Sequence, residues 1–185
     1  MIIAEGHRQL SQVGFARFSA REVAKRIGYS IGTLYNVFGS YDRLILAINA
    51  RTLEDWARYV ETQLVRAQGD RLRVLIDAYF HFARTHRHAW QALYDHRLPP
   101  GEPAPDTYKK RLAALTGLII REVAAALPPS CSAQAPPIAR SCLATVHGHC
   151  AFMLDGTFDL LGEDDPAGAA YARICETIAA AAKQC

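Results

Sequence analysis

The chain has 185 residues, 50% of them apolar, and a formal net charge of +3. This length allows one or two domains with a real core, and this apolar content excludes intrinsic disorder. The mild overall charge does not by itself indicate a nucleic-acid partner, but the charge is unevenly distributed. Residues 1–50 hold six Lys and Arg against three Asp and Glu, whereas residues 128–185 hold three against six. The N-terminal part is therefore electropositive and suits contact with phosphate.

The five cysteines are odd in number and include no Cys-x-x-Cys pair. This pattern excludes a disulfide framework and zinc-finger spacing, so we expect reduced thiols in a cytoplasmic protein. Glu5 and Arg8 interrupt the first apolar residues, and we therefore expect no signal peptide. No apolar run approaches the length that crosses a membrane.

The first two helices are predicted from apolar spacing and from a start signal. Residues 2–13 place their apolar side chains on one side of a helix. Ser19 and Glu22 form a Ser-x-x-Glu capping box, which predicts a second helix at about 20–27. Gly28 then follows the last apolar residue, where the chain can turn through a left-handed conformation.

A third short helix follows almost at once. Ser30 can cap it, and Gly39 ends it. Its apolar positions are Ile31, Leu34, Val37 and Phe38. Two short helices only a few residues apart predict a helix-turn-helix, whose second helix fits the major groove of DNA.

The remaining helices are predicted from apolar periodicity and from the Gly and Pro that stop them. Their approximate ranges are 41–68, 70–86, a short helix around 90–94, 106–127, 138–161 and 167–182. Two Pro-rich stretches, 99–105 and 128–137, predict loops. Because no strand-like alternation occurs, the sequence predicts an all-α fold of about nine helices. A three-helix domain, residues 1–45, is joined by a continuous fourth helix to a larger helical domain, residues 46–185.

Glycine, hydroxyl and aromatic residues in the helix-turn-helix segment also form a recognisable sequence pattern. They read Gly28-Tyr29-Ser30-x-Gly32-Thr33-x-Tyr35-x-x-Phe38, ending in Leu44. This pattern resembles the signature of TetR-family transcriptional regulators. Val37 replaces a frequent histidine of that family, and Tyr41 replaces a frequent lysine that contacts phosphate.

The resemblance implies a ligand-responsive DNA-binding regulator, most often a repressor, that works as a homodimer. It implies that the larger domain binds an effector and forms the dimer. Trp90 within HAWQALYDHRLP, and Val146-His147-Gly148, also resemble a Trp/His-Gly-containing C-terminal domain of a TetR subfamily.

The residues predicted to touch DNA lie mainly on the third helix. Asn36 can pair with an adenine edge, and Ile31 can pack on a thymine methyl group. Gly32 lets the backbone approach closely, and the resemblance gives Thr33 and Tyr35 contacts with phosphate.

Further DNA contacts are predicted around this helix. The backbone N–H groups beside Ser30 can hold phosphate. Arg21 and Lys25 can add charge contacts, the alternative being an ordinary solvated face. Tyr41, at the family's lysine position, completes the predicted set.

A small apolar effector is the ligand that the resemblance implies. Aromatic residues and one histidine could line an apolar cavity that has a few polar groups. They are Trp56, Tyr79, Phe82, Trp90, Tyr94, His147 and Phe152. The alternative is that most of them are ordinary core residues.

Two other functions remain as alternatives. A metal-responsive sensor could use the cluster of His147, His149 and Cys150. On a helix, however, the two histidines point about 200° apart, so we predict no metal site. A small all-helical enzyme has no paired carboxylates, nucleophile elbow or Gly-rich loop to support it, so we predict no catalytic residue and no cofactor.

The predicted dimer interface uses the last two long helices. Ala144, Gly148 and Ala151 permit close helix approach in 138–161, and 167–182 is rich in alanine. Packed against their copies, these helices would form a four-helix interface about a two-fold axis. The alternative is that they complete the core of one subunit.

Overall fold

The computed structural model describes residues 1–183 and contains ten α-helices and two 3₁₀ turns in that range, with no strand. In chain order the α-helices are α1 (Ile2–Val13), α2 (Ala20–Arg26), α3 (Ile31–Phe38), α4 (Tyr41–Arg66), α5 (Arg71–Thr85), α6 (Arg87–Asp95), α7 (Asp106–Ala126), α8 (Ala135–Leu154), α9 (Thr157–Leu161) and α10 (Pro166–Ala182). The 3₁₀ turns are Phe15–Arg17 and Pro129–Gln134. The all-α class and the helix-turn-helix are confirmed. No helix of the described part is both long enough and apolar enough to span a membrane.

The chain divides into two compact units. Unit 1 comprises Met1–Ala57 and Thr85–Leu115, and unit 2 comprises Arg58–Arg84 and Thr116–Cys185. Helices α1, α2, α3 and α6 belong to unit 1, and α8, α9, α10 and all of α5 except its last residue, Thr85, belong to unit 2. Helices α4 and α7 each contribute residues to both. The functional boundary predicted after residue 45 stays a prediction.

An apolar cluster holds the helix-turn-helix to the rest of unit 1. Leu10 of α1, Val23 of α2, Leu34 of α3, and Leu44 and Ile48 of α4 are all fully buried within it. Burying one such side chain stabilises the fold by about 1.5–3 kcal/mol. Four helices therefore share one core, which fixes the position of α3 within the unit.

Hydroxyl caps begin α2, α3 and α4, the first two at the predicted residues. Ser19, Ser30 and Ser40 each accept a hydrogen bond from the backbone N–H three residues later, at 3.3, 3.1 and 3.1 Å. The second bond of the predicted capping box, in which the Ser19 N–H would donate to the Glu22 carboxylate, does not form. The Oε1 atom of Gln9, a buried residue of α1, accepts the Ser19 N–H at 3.0 Å instead.

The single helix predicted at 138–161 is two helices. It begins earlier, at Ala135, because two prolines occupy the first turn, where their missing N–H groups are not needed. It ends at Leu154 because Gly156 adopts a left-handed conformation with φ of 73°, after which α9 begins. This break accounts for ten helices where about nine were predicted.

In unit 2, α8 and α10 pack against each other through small and β-branched residues. Ala139, Cys142 and Val146 of α8 are buried, as are Ala170 and Ile174 of α10. These two helices therefore contribute to the core of one subunit, which leaves their outer faces for other contacts.

Cys142, Cys150 and Cys175 are free thiols, and Cys131 is fully buried. The expectation that all five cysteines are reduced stays a prediction. Cys185 lies outside the described residues.

Candidate DNA-binding surface and effector cavity

Helix α3 exposes a face of small and polar residues. Its fully buried residue is Leu34, which belongs to the apolar cluster of unit 1. Gly32 and Asn36 are exposed, and Tyr35 and Val37 are 38% and 62% exposed. The helix is thus anchored on one side and free to meet a partner on the other.

Gly32 is the second residue of α3, at a position where the fold does not require a glycine. A Cβ built there would meet only Ser30 Oγ, at 3.5 Å, which is ordinary van der Waals contact. Because the side chain is missing without an internal reason, the backbone of α3 stays open to close approach from outside.

The N-terminus of α3 carries two hydroxyl groups. The Oγ of exposed Ser30 and the Oγ1 of half-buried Thr33 lie 3.0 Å apart. Backbone N–H groups in the first turn of a helix attract anions, and this end of α3 faces solvent. Ile31 is half-buried and packs on the apolar cluster, so only part of its side chain can reach a partner.

Basic residues lie beside α3 on the preceding helix. Arg21 and Lys25 are exposed, and neither forms an ion pair within residues 1–183. Arg26 differs, since its Nε lies 3.8 Å from the carboxylate of Glu5. The first two cations are therefore available to phosphate.

Tyr41, which was predicted to contact DNA, is packed partly against the core of unit 1. It is half-buried, and its ring lies 6.2 Å from that of Phe18. Burial raises the pKa of the Tyr41 hydroxyl, with smaller contributions from Tyr35 and Asp42. Its contact with DNA stays a prediction. Sequence reasoning missed Tyr29, which is 45% exposed in the turn between α2 and α3.

Two polar contacts, also missed in the sequence, tie α6 and His96, the residue that follows it, to α4 within unit 1. The Nε2 of His96 donates to the Asp42 carboxylate at 2.9 Å, and His96 is only 8% exposed. The side-chain amide of Asn49 donates to the Ala92 carbonyl at 2.9 Å. Asp42 lies in the first turn of α4, close behind the reading helix, so α6 is linked to the start of α4.

The predicted effector residues are divided between the two units. Trp56, Trp90 and Tyr94 belong to unit 1, where both tryptophans are buried and Tyr94 is half-buried. The rings of Trp90 and Tyr94 lie 5.0 Å apart. This aromatic pair is part of the packing around α6.

In unit 2 the structure brings two predicted residues into direct contact. The hydroxyl of Tyr79 lies 3.0 Å from Nδ1 of His147, and burial lowers the pKa of this histidine. Phe82 is buried, with its ring 6.1 Å from that of Tyr59. Phe152, by contrast, is 48% exposed on α8.

A small apolar cavity of about 30 Å³ lies inside unit 2. Its walls are aliphatic apart from one tyrosine and one cysteine. They are Leu72, Leu75, Ile76, Tyr79, Ile119, Val123, Cys142, Leu143, Val146 and Ile174. Of the predicted effector residues only Tyr79 lines it. The volume is far below the roughly 300–1,000 Å³ of sites for drug-sized ligands, so such a ligand must enlarge it.

The His147, His149 and Cys150 cluster is not assembled around a common point. The Nδ1 of His149 donates to the Thr145 carbonyl at 2.9 Å, while His147 contacts Tyr79. Cys150 is fully buried, and burial raises its pKa to about 12, which keeps it protonated. Within residues 1–183, no three His, Cys, Asp or Glu side chains are grouped to hold a metal ion.

A helix-turn-helix with an open reading face, carried by an all-helical chain, defines a class of DNA-binding regulators. The comparison with protein families gives the same class. Residues 2–48 match the model "Bacterial regulatory proteins, tetR family", and residues 72–185 match "Tetracyclin repressor-like, C-terminal domain". The chain belongs to the TetR family of transcription regulators and is not an enzyme. Regulators of this family bind DNA operators, typically as dimers and with small-molecule ligands.

Solved structures share the fold at low sequence identity. A protein of unknown function from Rhodococcus sp. RHA1 is 22% identical over 96% of this chain and 92% of its own, with a TM-score of 0.73. The multidrug binding protein EbrR, complexed with imidazole, is 20% identical over 96% and 92%, with a TM-score of 0.63. A protein from Shewanella sp. PV-4, described as a TetR family transcription regulator, is 15% identical over 94% and 93%, with a TM-score of 0.64. No curated protein matches the chain in sequence.

Proposed function

We propose that this protein is a homodimeric repressor that binds its operator through α3 and leaves it when a small apolar molecule binds in unit 2. The main observation that supports a DNA-binding surface on α3 is the open face of this helix. That face combines an unexplained glycine, Gly32, with exposed Asn36 beside the unpaired cations Arg21 and Lys25. Family membership supplies the DNA-binding role.

In the major groove, Asn36 reads an adenine edge and Ile31 contacts a thymine methyl group with its exposed part. The backbone at Gly32 approaches the bases closely. Thr33 and Tyr35 bind phosphate, which sets the register of the helix but carries no sequence information directly.

Phosphate contacts surround the reading helix. The N–H groups beside Ser30 hold one phosphate, and Arg21 and Lys25 of α2 attract the backbone of the duplex. Tyr41 adds a neutral hydroxyl at its edge. When such a surface binds DNA, it displaces counterions from the phosphates, so affinity falls steeply as the salt concentration rises.

The distinction between base reading and phosphate binding is testable with two variants. Asn36→Ala should relax base preference by about 1–3 kcal/mol at one position of the operator. Tyr35→Phe should weaken binding to all sequences alike. Both are measured by equilibrium binding to the same panel of operator mutants. The same pattern in both variants would contradict this orientation of α3.

The charge contacts have a matched control. Lys25→Gln should weaken binding and reduce the slope of log affinity against log salt by about one. Lys110→Gln removes an exposed lysine of α7 and should leave the slope unchanged. Equal slopes for Lys25→Gln and the unaltered protein would exclude Lys25 from the DNA surface.

The dimer uses the outer face of α8 with α9 and α10. Ala144 and Gly148 are exposed there, and a Cβ at Gly148 would meet no atom within 4 Å. Phe152, Leu160 and Leu161 are 48%, 89% and 67% exposed, which is typical of an apolar surface that a partner covers. A second copy of the chain supplies the second reading head that a two-fold operator requires.

Effector binding shifts a population of conformations. The small cavity of unit 2 must open for a drug-sized ligand, and Tyr79 with His147 provides the polar groups near it. Within unit 1, the contacts of α6 with α4 at Asp42 and Asn49 carry any movement of α6 to the reading head. Turning a 99:1 population into 1:99 requires about 5.5 kcal/mol of differential affinity.

The effector class is tested by operator release. A library of apolar compounds and a series of divalent metals are compared, with His147→Ala as the control. Bulky substitution at His147, whose ring contacts the cavity residue Tyr79, should block release by the compound and leave DNA binding intact. Release by zinc or copper that disappears in His147→Ala would favour a metal sensor instead. A repressor of this kind acts where its operator lies, so we propose a cytoplasmic location.

A further inference from the structure

Unit 1 carries a groove of about 770 Å³ beside the reading helix, distinct from the cavity of unit 2. Val37 and Phe38 come from the end of α3, Leu46 from α4, Ile3 from α1 and Tyr108 from α7. The groove therefore brings α7 together with three helices from the N-terminal part of the chain. Its volume lies within the range of roughly 300–1,000 Å³ that is typical of small-molecule sites.

The apolar walls of this groove are open to solvent. Val37 is 62% and Ile3 is 37% exposed, although both are large aliphatic side chains. Two such walls facing one groove leave an apolar surface that a ligand can cover.

The charged groups of the groove are mainly cationic. Arg43, Arg51 and Arg111 line it together with one carboxylate, that of Glu54. Arg111 lies 3.6 Å from Glu54, and the Nε of Arg51 donates to Asp55 at 2.9 Å. These two cations are thus partly neutralised.

Arg43 differs from the other two arginines. It is exposed, and it forms no ion pair within residues 1–183. A guanidinium group binds carboxylates with two parallel hydrogen bonds, so Arg43 is suited to hold an anionic head group. His7 also lines the groove, and burial lowers its pKa, so at pH 7 it provides a neutral hydrogen-bonding group.

We propose that this groove binds a small amphipathic carboxylate, with its head group on Arg43 and its apolar tail along Ile3 and Val37. The cationic lining selects an anion, and the aliphatic walls select an apolar tail. The site lies within unit 1 and does not depend on the role proposed for unit 2 or on operator binding.

The test uses the full chain and titration calorimetry with two probes of equal tail length, decanoate and decyltrimethylammonium. Decanoate should bind with one site per subunit, and the ammonium compound should bind at least about tenfold more weakly because it lacks the charge-assisted hydrogen bonds. Equal binding of both probes, or no binding of decanoate, would overturn the proposal.

Three variants locate the site. Ala47→Trp fills the groove and should abolish decanoate binding, whereas Leu143→Trp, at the cavity of unit 2, should leave it unchanged. Arg43→Gln should weaken it about tenfold, the loss expected for a hydrogen bond to a charged group. Because Arg43 is exposed, this variant decides the matter even if Ala47→Trp fails to fold.

The opposite pattern contradicts the proposal. Decanoate binding that survives Ala47→Trp and disappears in Leu143→Trp would assign the ligand to unit 2. Sedimentation of the same samples tests whether the groove is instead occupied by a second copy of the chain. A change of oligomeric state in Ala47→Trp, without decanoate binding to the unaltered protein, would make the groove a contact between copies of the chain.

Discussion

Gly6 in α1 and Gly32 in α3 are both glycines inside helices of unit 1, yet their surroundings are opposite. A Cβ at Gly6 would come within 2.5 Å of the Cδ1 of Ile48, which is fully buried. A Cβ at Gly32 would meet only Ser30 Oγ at 3.5 Å. A helical glycine costs roughly 0.5–1 kcal/mol relative to alanine. Packing explains the first glycine, whereas no contact within the chain requires the second, which we propose to face DNA.

The comparison is sharpest when the same substitution is made at both glycines, and Gly32→Leu should have the largest effect. Leucine there has room and favours the helix, so stability should be kept or increased. The side chain should hold α3 away from the bases and reduce operator affinity about a hundredfold or more, the equivalent of one or two base contacts at 1–3 kcal/mol each. Operator titration and urea unfolding measure the two effects. Unchanged operator affinity would remove Gly32 from the interface.

Gly6→Leu should act on the fold. The added side chain has no space against buried Ile48, and overpacking of this kind lowers the free energy of unfolding by about 1–3 kcal/mol. Urea denaturation measures it, with Ser11→Leu at an exposed position of α1 as the control. If Gly6→Leu were as stable as Ser11→Leu, the contrast between the two glycines would fail.

Gly148→Leu extends the comparison to unit 2. Gly148 is exposed in α8 and, like Gly32, has an open position at its Cβ. We expect the subunit to stay folded while the dissociation constant of the dimer rises about tenfold, because an overpacked contact costs about 1–3 kcal/mol. Sedimentation across a range of concentrations measures the constant. An unchanged value would place the dimer interface elsewhere.

The smallest expected effect is the pH dependence of the free energy of unfolding, to which one histidine in each unit contributes. Burial is the main cause that lowers the pKa of His7 in unit 1 and of His147 in unit 2, below the ordinary value of 6.5. The unfolded chain then binds protons that the folded chain does not. Stability is therefore complete above pH 6.5 and decreases as pH falls through the lowered values. Urea unfolding at pH 7.5 and 5.5 should show a smaller decrease in His7→Gln and His147→Gln than in the unaltered protein, and an equal decrease would contradict the assignment.

Local features of the fold could be predicted from the sequence because each depends on a few neighbouring residues. The caps at Ser19 and Ser30 and the left-handed glycines Gly28 and Gly39, with φ of 75° and 86°, are of this kind. The predicted bond between the Ser19 N–H and the Glu22 side chain was wrong because it depended on a distant residue. The Ser19 N–H donates to Gln9, ten positions away, and such a contact has no local signal in the sequence.

The residues of the candidate sites also divide into those that local helical spacing predicts and those that depend on distant contacts. Helical spacing predicts that Asn36 points away from Leu34, and the structure has one exposed and the other buried. It also predicts Ile31 on the outer face, but Ile31 is half-buried because the apolar cluster extends to the start of α3. The groove at Arg43 and the aliphatic cavity walls bring together distant helices. Apolar periodicity cannot distinguish a cavity wall from filled core.

The small volume of the cavity in unit 2 has a consequence for how such a sensor would respond. Because its volume is about 30 Å³, a drug-sized effector binds only the fraction of molecules whose cavity is open. The apparent dissociation constant is the intrinsic one divided by that fraction, so an open fraction of about 1% weakens apparent affinity about a hundredfold. If the protein is the repressor proposed above, release from the operator then requires about a hundredfold more compound than the intrinsic affinity would. Mutations that favour the open form would lower that concentration without touching the ligand.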